Sequence, residues 1–197
     1  MKPKIDRRVK KTIGSLRKAY LDLIEQYSER EITVSMIAQY ADLNRATFYA
    51  HYSNKEEFLE EALYDLLEGL REAILSPFEM ETRINVNTLA PTTVQIFDYI
   101  ERNKRSFYAL YHGHSDFKKR LEDLFYHIFS KDIFIEINST VGKADYEMFL
   151  HYQTNATLGL IFYWIKGNFQ YSAGSMMEQL TILSNTQVVN LKKISDG

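Results

Sequence analysis

Cysteine is absent from the chain. Its absence excludes disulfides, thiolate metal sites and a thiol redox switch, and it fits a reducing cytoplasm. Transmembrane-length apolar runs are also missing, and the Lys-rich start carries no apolar leader core. The expectation is therefore a cytoplasmic, unsecreted protein with no membrane partner. Catalytic punctuation is missing too: there is no G-x-S-x-G elbow, no phosphate-binding Gly-rich loop and no dinucleotide fingerprint. No spacing of Ser, His and Asp supports an enzyme, and no cofactor is expected. His112 and His114 sit two apart and could chelate, with His127 and His151 elsewhere. A metal site needs three or four placed ligands, so exposed loop histidines are the expectation.

What is present is unevenly distributed. The net charge of −2 at pH 7 hides 11 Lys+Arg against 6 Asp+Glu in residues 1–55, and 13 against 20 in residues 56–197. The basic excess clusters at Lys2, Lys4, Arg7, Arg8, Lys10 and Lys11. A basic end on an acidic remainder confines any polyanion binding to the N-terminal part. With 197 residues, the chain is long enough to bury a core without covalent staples. The division expected is 1–55 and 56–197.

Apolar spacing predicts helices almost throughout. Ile13, Leu16, Tyr20, Leu23, Ile24 and Tyr27 form one stripe over about Asp6 to Tyr27. Val34, Ile37, Ala38 and Ala41 recur at helical spacing, and Leu43 and Phe48 supply contacts for a second short helix starting near Asn44. Small Ala38 and Ala41 allow a close crossing, Asp42 tolerates left-handed backbone, and Asn44 can cap. This is a helix-turn-helix pattern. The residues left pointing outward, Arg45, Ala46, Thr47, Tyr49, Ala50 and His51, suit phosphates and base edges.

The run Thr47-Phe48-Tyr49-Ala50-His51-Tyr52-Ser53-Asn54-Lys55-Glu56-Glu57-Phe58-Leu59 closely resembles the signature of TetR-type transcriptional regulators, in which T-F-Y-x-H-F/Y is followed by x-x-K-E-x-L. Thr33, Ile37, Ala38 and Ala41 match the preceding half of that signature. One departure stands at the turn, where Ala41-Asp42-Leu43-Asn44 replaces the family's usual A-G-V-S or A-G-V-T. The resemblance implies a DNA-binding face comprising Thr33, Asn44, Arg45, Ala46, Thr47, Tyr49, His51, Tyr52 and Lys55. Arg45 is the expected base-edge reader with Ala46 and Thr47 near bases, while Thr33, Tyr49, His51 and Lys55 hold phosphates. It also implies a homodimer on a palindromic double-stranded operator.

Beyond this head, Ser53-Asn54-Lys55-Glu56 reads as a capping box opening a connecting helix that ends at Ser76-Pro77. Phe78 to Pro91 reads as a loop. Further helices are expected over about Thr92–Asn103, around Phe107–Tyr111, from a Ser115 cap, over about Lys143–Lys166, and from a Ser172 cap to about Leu191. Ile133-Phe134-Ile135-Glu136-Ile137 is β-branched, but a lone strand would have no partner, so irregular backbone is expected. The fold class is all-α, about nine helices.

The run Leu158-Gly159-Leu160-Ile161-Phe162-Tyr163-Trp164-Ile165 is apolar nearly all round and must be buried on more than one side. With Asn168-Phe169-Gln170-Tyr171-Ser172 and Met176-Met177-Glu178-Gln179-Leu180 it resembles, more loosely, the C-terminal domain of a Firmicutes-enriched TetR branch that includes the coactivator of dihydroxyacetone kinase genes. The candidate pocket for an unknown small-molecule effector is Tyr99, Phe107, Tyr111, Phe125, Tyr152 and Phe162, each of which also suits a plain core position. The candidate dimer surface is Phe149, Gln153, Ala156, Leu160, Trp164, Met177, Leu180 and Leu183. A ligand-responsive repressor is the leading reading. A protein-interaction module or coactivator of the same fold is the other.

Overall fold

Helix α1 (Arg7–Ile24) turns Leu16, Ala19, Tyr20 and Leu23 inward. The 3.6-residue repeat of that stripe is what holds it against α2 (Val34–Tyr40), α3 (Arg45–Tyr49) and the start of α4 (Lys55–Leu75). The computed structural model describes residues 7–79, 91–136 and 143–186. Beyond α4 follow α5 (Pro91–Arg102), α6 (Lys104–Gly113), α7 (Phe117–His127), α8 (Tyr146–Lys166) and α9 (Ala173–Ser184). A 3-10 turn at Ser76–Glu79 continues α4, and a π turn at Ile128–Asp132 continues α7. The fold is all-α, with nine α-helices and no strand among the described residues.

Two hydrophobic cores divide on α4. Phe58 and Leu59 join Leu16, Tyr20, Leu23, Ile32, Ile37, Phe48 and Tyr52 in the first. One turn later Leu63, Leu66, Leu70 and Ile74 enter the second, with Ile96, Phe97, Phe107, Phe117, Phe125, Ile161 and Trp164. At 21 residues, α4 is a rod of about 30 Å whose two ends belong to different cores. In the second core α5 packs on α4 and α9, α7 packs on α4 and α8, and α6 packs on α8 while also reaching α1.

The α1–α6 contact is built from absence and charge. Gly113 ends α6, and a methyl there would run into Ile24, so glycine is what permits the approach. Arg105 of α6 meets Asp22 at 2.6 Å and Glu25 at 3.0 Å on α1. Arg17 of α1 reaches back to Asp65 at 2.6 Å and Glu61 at 3.2 Å on α4. These pairs are half exposed, so each contributes only about 0–1 kcal/mol; they set orientation more than stability.

Several ends differ from expectation. α1 stops at Ile24 and leaves Tyr27 exposed, because the chain turns there with Gln26 and Tyr27 N–H both on the Leu23 carbonyl. The cap of α4 lies one residue later than a Ser53–Glu56 box. Asn54 Oδ1 accepts the Glu57 N–H at 2.7 Å, and the Glu57 carboxylate accepts the Ser53 N–H at 2.7 Å. Asn caps as well as Ser, and this register carries Phe58 and Leu59 into the first core. The bond from the Ser53 backbone holds the exposed Glu57 carboxyl below its ordinary range, so its contribution is present above the ordinary carboxylate range and is lost as pH falls through the lowered one.

Ser115 does not cap α7: Asp116 occupies that position, without a side-chain cap bond. α8 starts at Tyr146 rather than Lys143, where Asp145 caps through the Met148 N–H. Ser172 does cap α9, through the Ser175 N–H at 3.2 Å, but α9 ends at Ser184. Leu191 lies outside the described residues. Residues 133–136 are irregular, with the Ile135 N–H on the Tyr146 hydroxyl at 3.2 Å; Ile137 and most of the 78–91 loop fall outside the described residues.

Candidate nucleic-acid interface

The reading head is made by three local devices. Thr33 caps α2 through its Oγ1, which accepts the Met36 N–H at 3.3 Å. At the other end Asp42 takes φ 53°. Its N–H reaches the Gln39 carbonyl at 3.1 Å, and the Leu43 N–H reaches the Ala38 carbonyl at 2.9 Å. That is the paired 6→1 and 5→2 bonding of a Schellman stop. Asn44 then caps α3, accepting the Ala46 N–H at 2.9 Å. The turn is thus specified without glycine, since Asp is among the few residues that tolerate the left-handed region. Asp42→Gly is expected to raise stability by a few tenths to about 1 kcal/mol and Asp42→Val to lower it by about 1–2 kcal/mol, both read by thermal unfolding.

Phe48 anchors α3 from inside. It is fully buried, with Tyr52 at 5.5 Å and Phe58 at 5.6 Å between ring centroids. Burying Phe48 turns Arg45, Ala46, Tyr49 and Ala50 outward, and all four are exposed, as are Thr33 and Asn44. Thr47 and His51 are half-buried at the edge of this face. The Arg45 guanidinium lies 6.0 Å from the Tyr49 ring, at the outer limit of a cation–π contact. Arg17, Arg71, Arg102, Arg105 and Arg120 each form an ion pair; Arg45 forms none with a described residue.

Two expected DNA contacts are placed differently. Tyr52 is buried; its hydroxyl donates to Glu61 Oε1 at 2.8 Å and its ring packs on Phe58 at 5.2 Å. Burial, reinforced by the Glu61 bond, pushes its ionisation up. It is a core residue because it follows Phe48 by one helical turn and shares its inward direction. Lys55, expected on phosphate, donates to the Glu29 carbonyl at 2.7 Å and the Ile32 carbonyl at 3.1 Å. The ammonium ties the start of α4 to the α1–α2 link. The expected DNA-binding residues include none within α2, on which Ser35, Gln39 and Tyr40 are exposed. Ser35 and Gln39 are related by i,i+4 spacing, and polar residues at that spacing were the available signal.

Residues 17–62 match the family described as bacterial regulatory proteins, tetR family. Residues 87–186, just over half of the chain, match the family described as transcriptional regulator C-terminal region. The chain belongs to the TetR family of transcriptional regulators. A relative in Bacillus subtilis (strain 168), the uncharacterized HTH-type transcriptional regulator YxbF, is 23% identical over 153 residues, covering 77% of this chain and 39% of that protein. The chain thus matches well under half the length of that relative. Among solved structures, a TetR transcriptional regulator from Streptococcus agalactiae 2603V superposes with TM-score 0.63 at 20% identity, covering 90% of this chain and 96% of that one. The dihydroxyacetone kinase operon activator DhaS superposes with TM-score 0.60 at 20% identity, covering 87% and 93%.

In this TetR-family chain the C-terminal candidates separate by direction. Phe107 and Phe125 are fully buried core residues, with Phe107 edge-on to Tyr99 at 6.3 Å. Tyr111 and Phe162 meet at 5.6 Å, partly buried. Tyr152 is 71% exposed and belongs to no pocket with them, because it lies on the side of α8 opposite Leu150, Thr154 and Leu158. Of the dimer candidates, Trp164 and Leu180 point into the second core of the chain itself. The Trp164 N–H donates to the Tyr171 carbonyl at 2.8 Å. Phe149, Gln153, Leu160 and Met177 are half-buried, and Ala156 and Leu183 are exposed. His112 lies in the last turn of α6 rather than a loop, 4.5 Å from the Tyr108 ring, and His114 Nδ1 accepts the Asp116 N–H at 3.3 Å. No cluster of three potential metal ligands occurs among the described residues, and no described helix is long and apolar enough to cross a membrane.

Proposed function

We propose that this TetR-family regulator acts as a cytoplasmic homodimer on a palindromic operator, with Arg45 reading a base edge and the α1 start, Thr33 and Tyr49 holding phosphates. The observation that carries this reading is the outward face of α3, where an exposed Arg45 with no ion pair to a described residue is presented by a turn capped at both sides. Two such heads on a two-fold axis would read two half-sites, which one five-residue helix cannot match in specificity. The functional units are taken as 1–55 and 56–197, joined through α4, whose first turns share the head's core. The test is Arg45→Ala on the chain's own upstream DNA. Discrimination between cognate and random duplex is expected to fall by about 1–3 kcal/mol while the salt slope stays nearly unchanged. Equal losses on both duplexes would remove Arg45 from base reading.

Dimerisation is proposed through α8 and α9. Met148, Tyr152, Ala156 and Tyr163 of α8 and Ile182 and Leu183 of α9 are exposed, and an α8 that fills one core while showing this much apolar surface has a second face to cover. Effector binding among the aromatic side chains of the second core would shift α4 and change the spacing of the two heads, releasing DNA in a repressor-like switch. The C-terminal half would then belong with the Firmicutes-type, dihydroxyacetone-kinase-coactivator-like branch.

A coactivator or adaptor of the same fold is favoured by a different observation: Phe134 is 77% exposed and stacked on Tyr146 at 5.6 Å, a surface suited to a partner protein. Sequence-specific DNA binding by the chain alone supports the regulator; binding that appears only with a partner supports the adaptor.

A further inference from the structure

Helices α1, α4, α5 and α6 converge on a cleft of about 300 Å³ at the seam between the two cores, a volume at the lower end of small-molecule sites. Ala62 and Leu110 contribute apolar wall, and Tyr99, Asn103 and Ser106 contribute polar groups. The Tyr99 hydroxyl donates to the Leu66 carbonyl at 2.9 Å, so it faces an occupant as an acceptor. Asn103 spends one amide N–H on the Tyr99 carbonyl at 2.9 Å and keeps the other with its carbonyl oxygen. Two atoms of the lining residues, Arg17 Nε and the hydroxyl of the buried Tyr20, are themselves buried and have no hydrogen-bond partner among the described residues. Shut off from solvent, these two atoms are shut off from the cleft as well, so an occupant meets Tyr99, Asn103 and Ser106 instead.

The two charged side chains that line the cleft, Arg17 and Asp65, pair with each other. Arg17 is held by Asp65 at 2.6 Å and by Glu61 at 3.2 Å, so a carboxylate ligand would compete with two carboxylates for one guanidinium. An ammonium would have to be desolvated beside a guanidinium that already engages both carboxylates. We propose that this seam cleft binds a compact uncharged molecule carrying hydroxyl or carbonyl groups on an apolar body. It shares Leu66, Tyr99 and Leu110 with the second core invoked above for the effector but lies at the edge of that core, where it touches α1 directly. Glu61, which Arg17 engages, also accepts the Tyr52 hydroxyl at 2.8 Å, so the lining Arg17 sits two contacts from Tyr52, three residues beyond the end of α3.

The absence of cysteine supplies the test. In Ser106→Cys the introduced thiol is unique, and disulfide-bearing fragments of matched size can be offered as phenols and alcohols, as carboxylates and as amines under mild reductant. The uncharged set is expected to be captured about tenfold more than either charged set, the ratio set by desolvating a charge. On Ser175→Cys, exposed on α9, the three sets are expected to react alike. Adding Ala62→Phe to Ser106→Cys is expected to abolish the preference by filling the cleft, with the far-UV spectrum unchanged. In the unmodified chain, millimolar p-cresol is expected to shift the Ala62 and Leu110 methyl resonances saturably, and p-toluate is not. Equal capture of all three sets in Ser106→Cys, a preference that survives Ala62→Phe, or methyl resonances unmoved by p-cresol would each overturn the proposal. None of these readouts depends on DNA binding, so failure of the operator reading leaves them interpretable.

Discussion

Phe48→Ala is expected to remove about 3–5 kcal/mol of stability, the usual cost of truncating a buried phenylalanine. The loss should fall on one part of the molecule. Phe48 is fully buried in the first core, where Tyr52 and Phe58 close around it, and that core has only ten buried side chains among the described residues. Clusters of that size have little stability in reserve. The second core, from Leu63 onward, does not include Phe48. Calorimetry should therefore show a low-temperature transition split from the main one. Hydrogen exchange should become fast over residues 34–59 while α7 to α9 stay protected, and DNA binding should vanish at physiological temperature. A single transition, uniformly lowered, would mean that the seam couples the two cores into one cooperative unit.

Lys55→Met should come next in size. The substitution keeps an apolar stem and removes the charged donors to the Glu29 and Ile32 carbonyls, now at 2.7 and 3.1 Å. Hydrogen bonds to charged groups contribute about 1.5–3 kcal/mol, so a clear fall in Tm is expected together with weaker DNA binding. Because the lost contact lies inside the protein, the salt slope of the remaining DNA binding should be unchanged. The opposite pattern, a slope smaller by about 1 at constant Tm, would put the ammonium on a phosphate and remove its role as a tie.

These two residues show how far the local sequence reaches. Phe48 could be assigned to the interior from its spacing with Leu43 and the alanines of α2, and Asn44, Thr33 and Ser172 could be assigned as caps, since each acts within three residues of itself. Asp42 was legible for the same reason: the need for left-handed backbone is a property of one residue and its neighbours. Lys55 was not. Its partners lie 26 and 23 residues earlier, and nothing in the run Asn54-Lys55-Glu56 announces them. The capping register at Ser53–Glu57 was missed by one residue because two equally good caps adjoin, and only the burial of Phe58 and Leu59 chooses between them.

The C-terminal half separates the same two kinds of information more sharply. That α8 is a helix apolar nearly all round was plain from Leu158 to Ile165, and so was its need for cover on several sides. Which side meets which neighbour was not plain. Trp164 and Leu180 turned inward and Tyr152 outward, because Trp164 meets Phe97 of α5 at 5.5 Å and the helix of Leu180 packs on α5, and such contacts join residues far apart in the chain. By itself, then, the sequence determined the all-α class, the caps at Thr33, Asn44 and Ser172, the family signature and the outward face of α3. These follow from interactions spanning a turn or two of helix. Tertiary structure alone decided the tie at Lys55, the burial of Tyr52 and Trp164, and the seam cleft between α1 and α6. Those depend on helix directions and close approaches, such as Gly113 against Ile24, that no local period encodes.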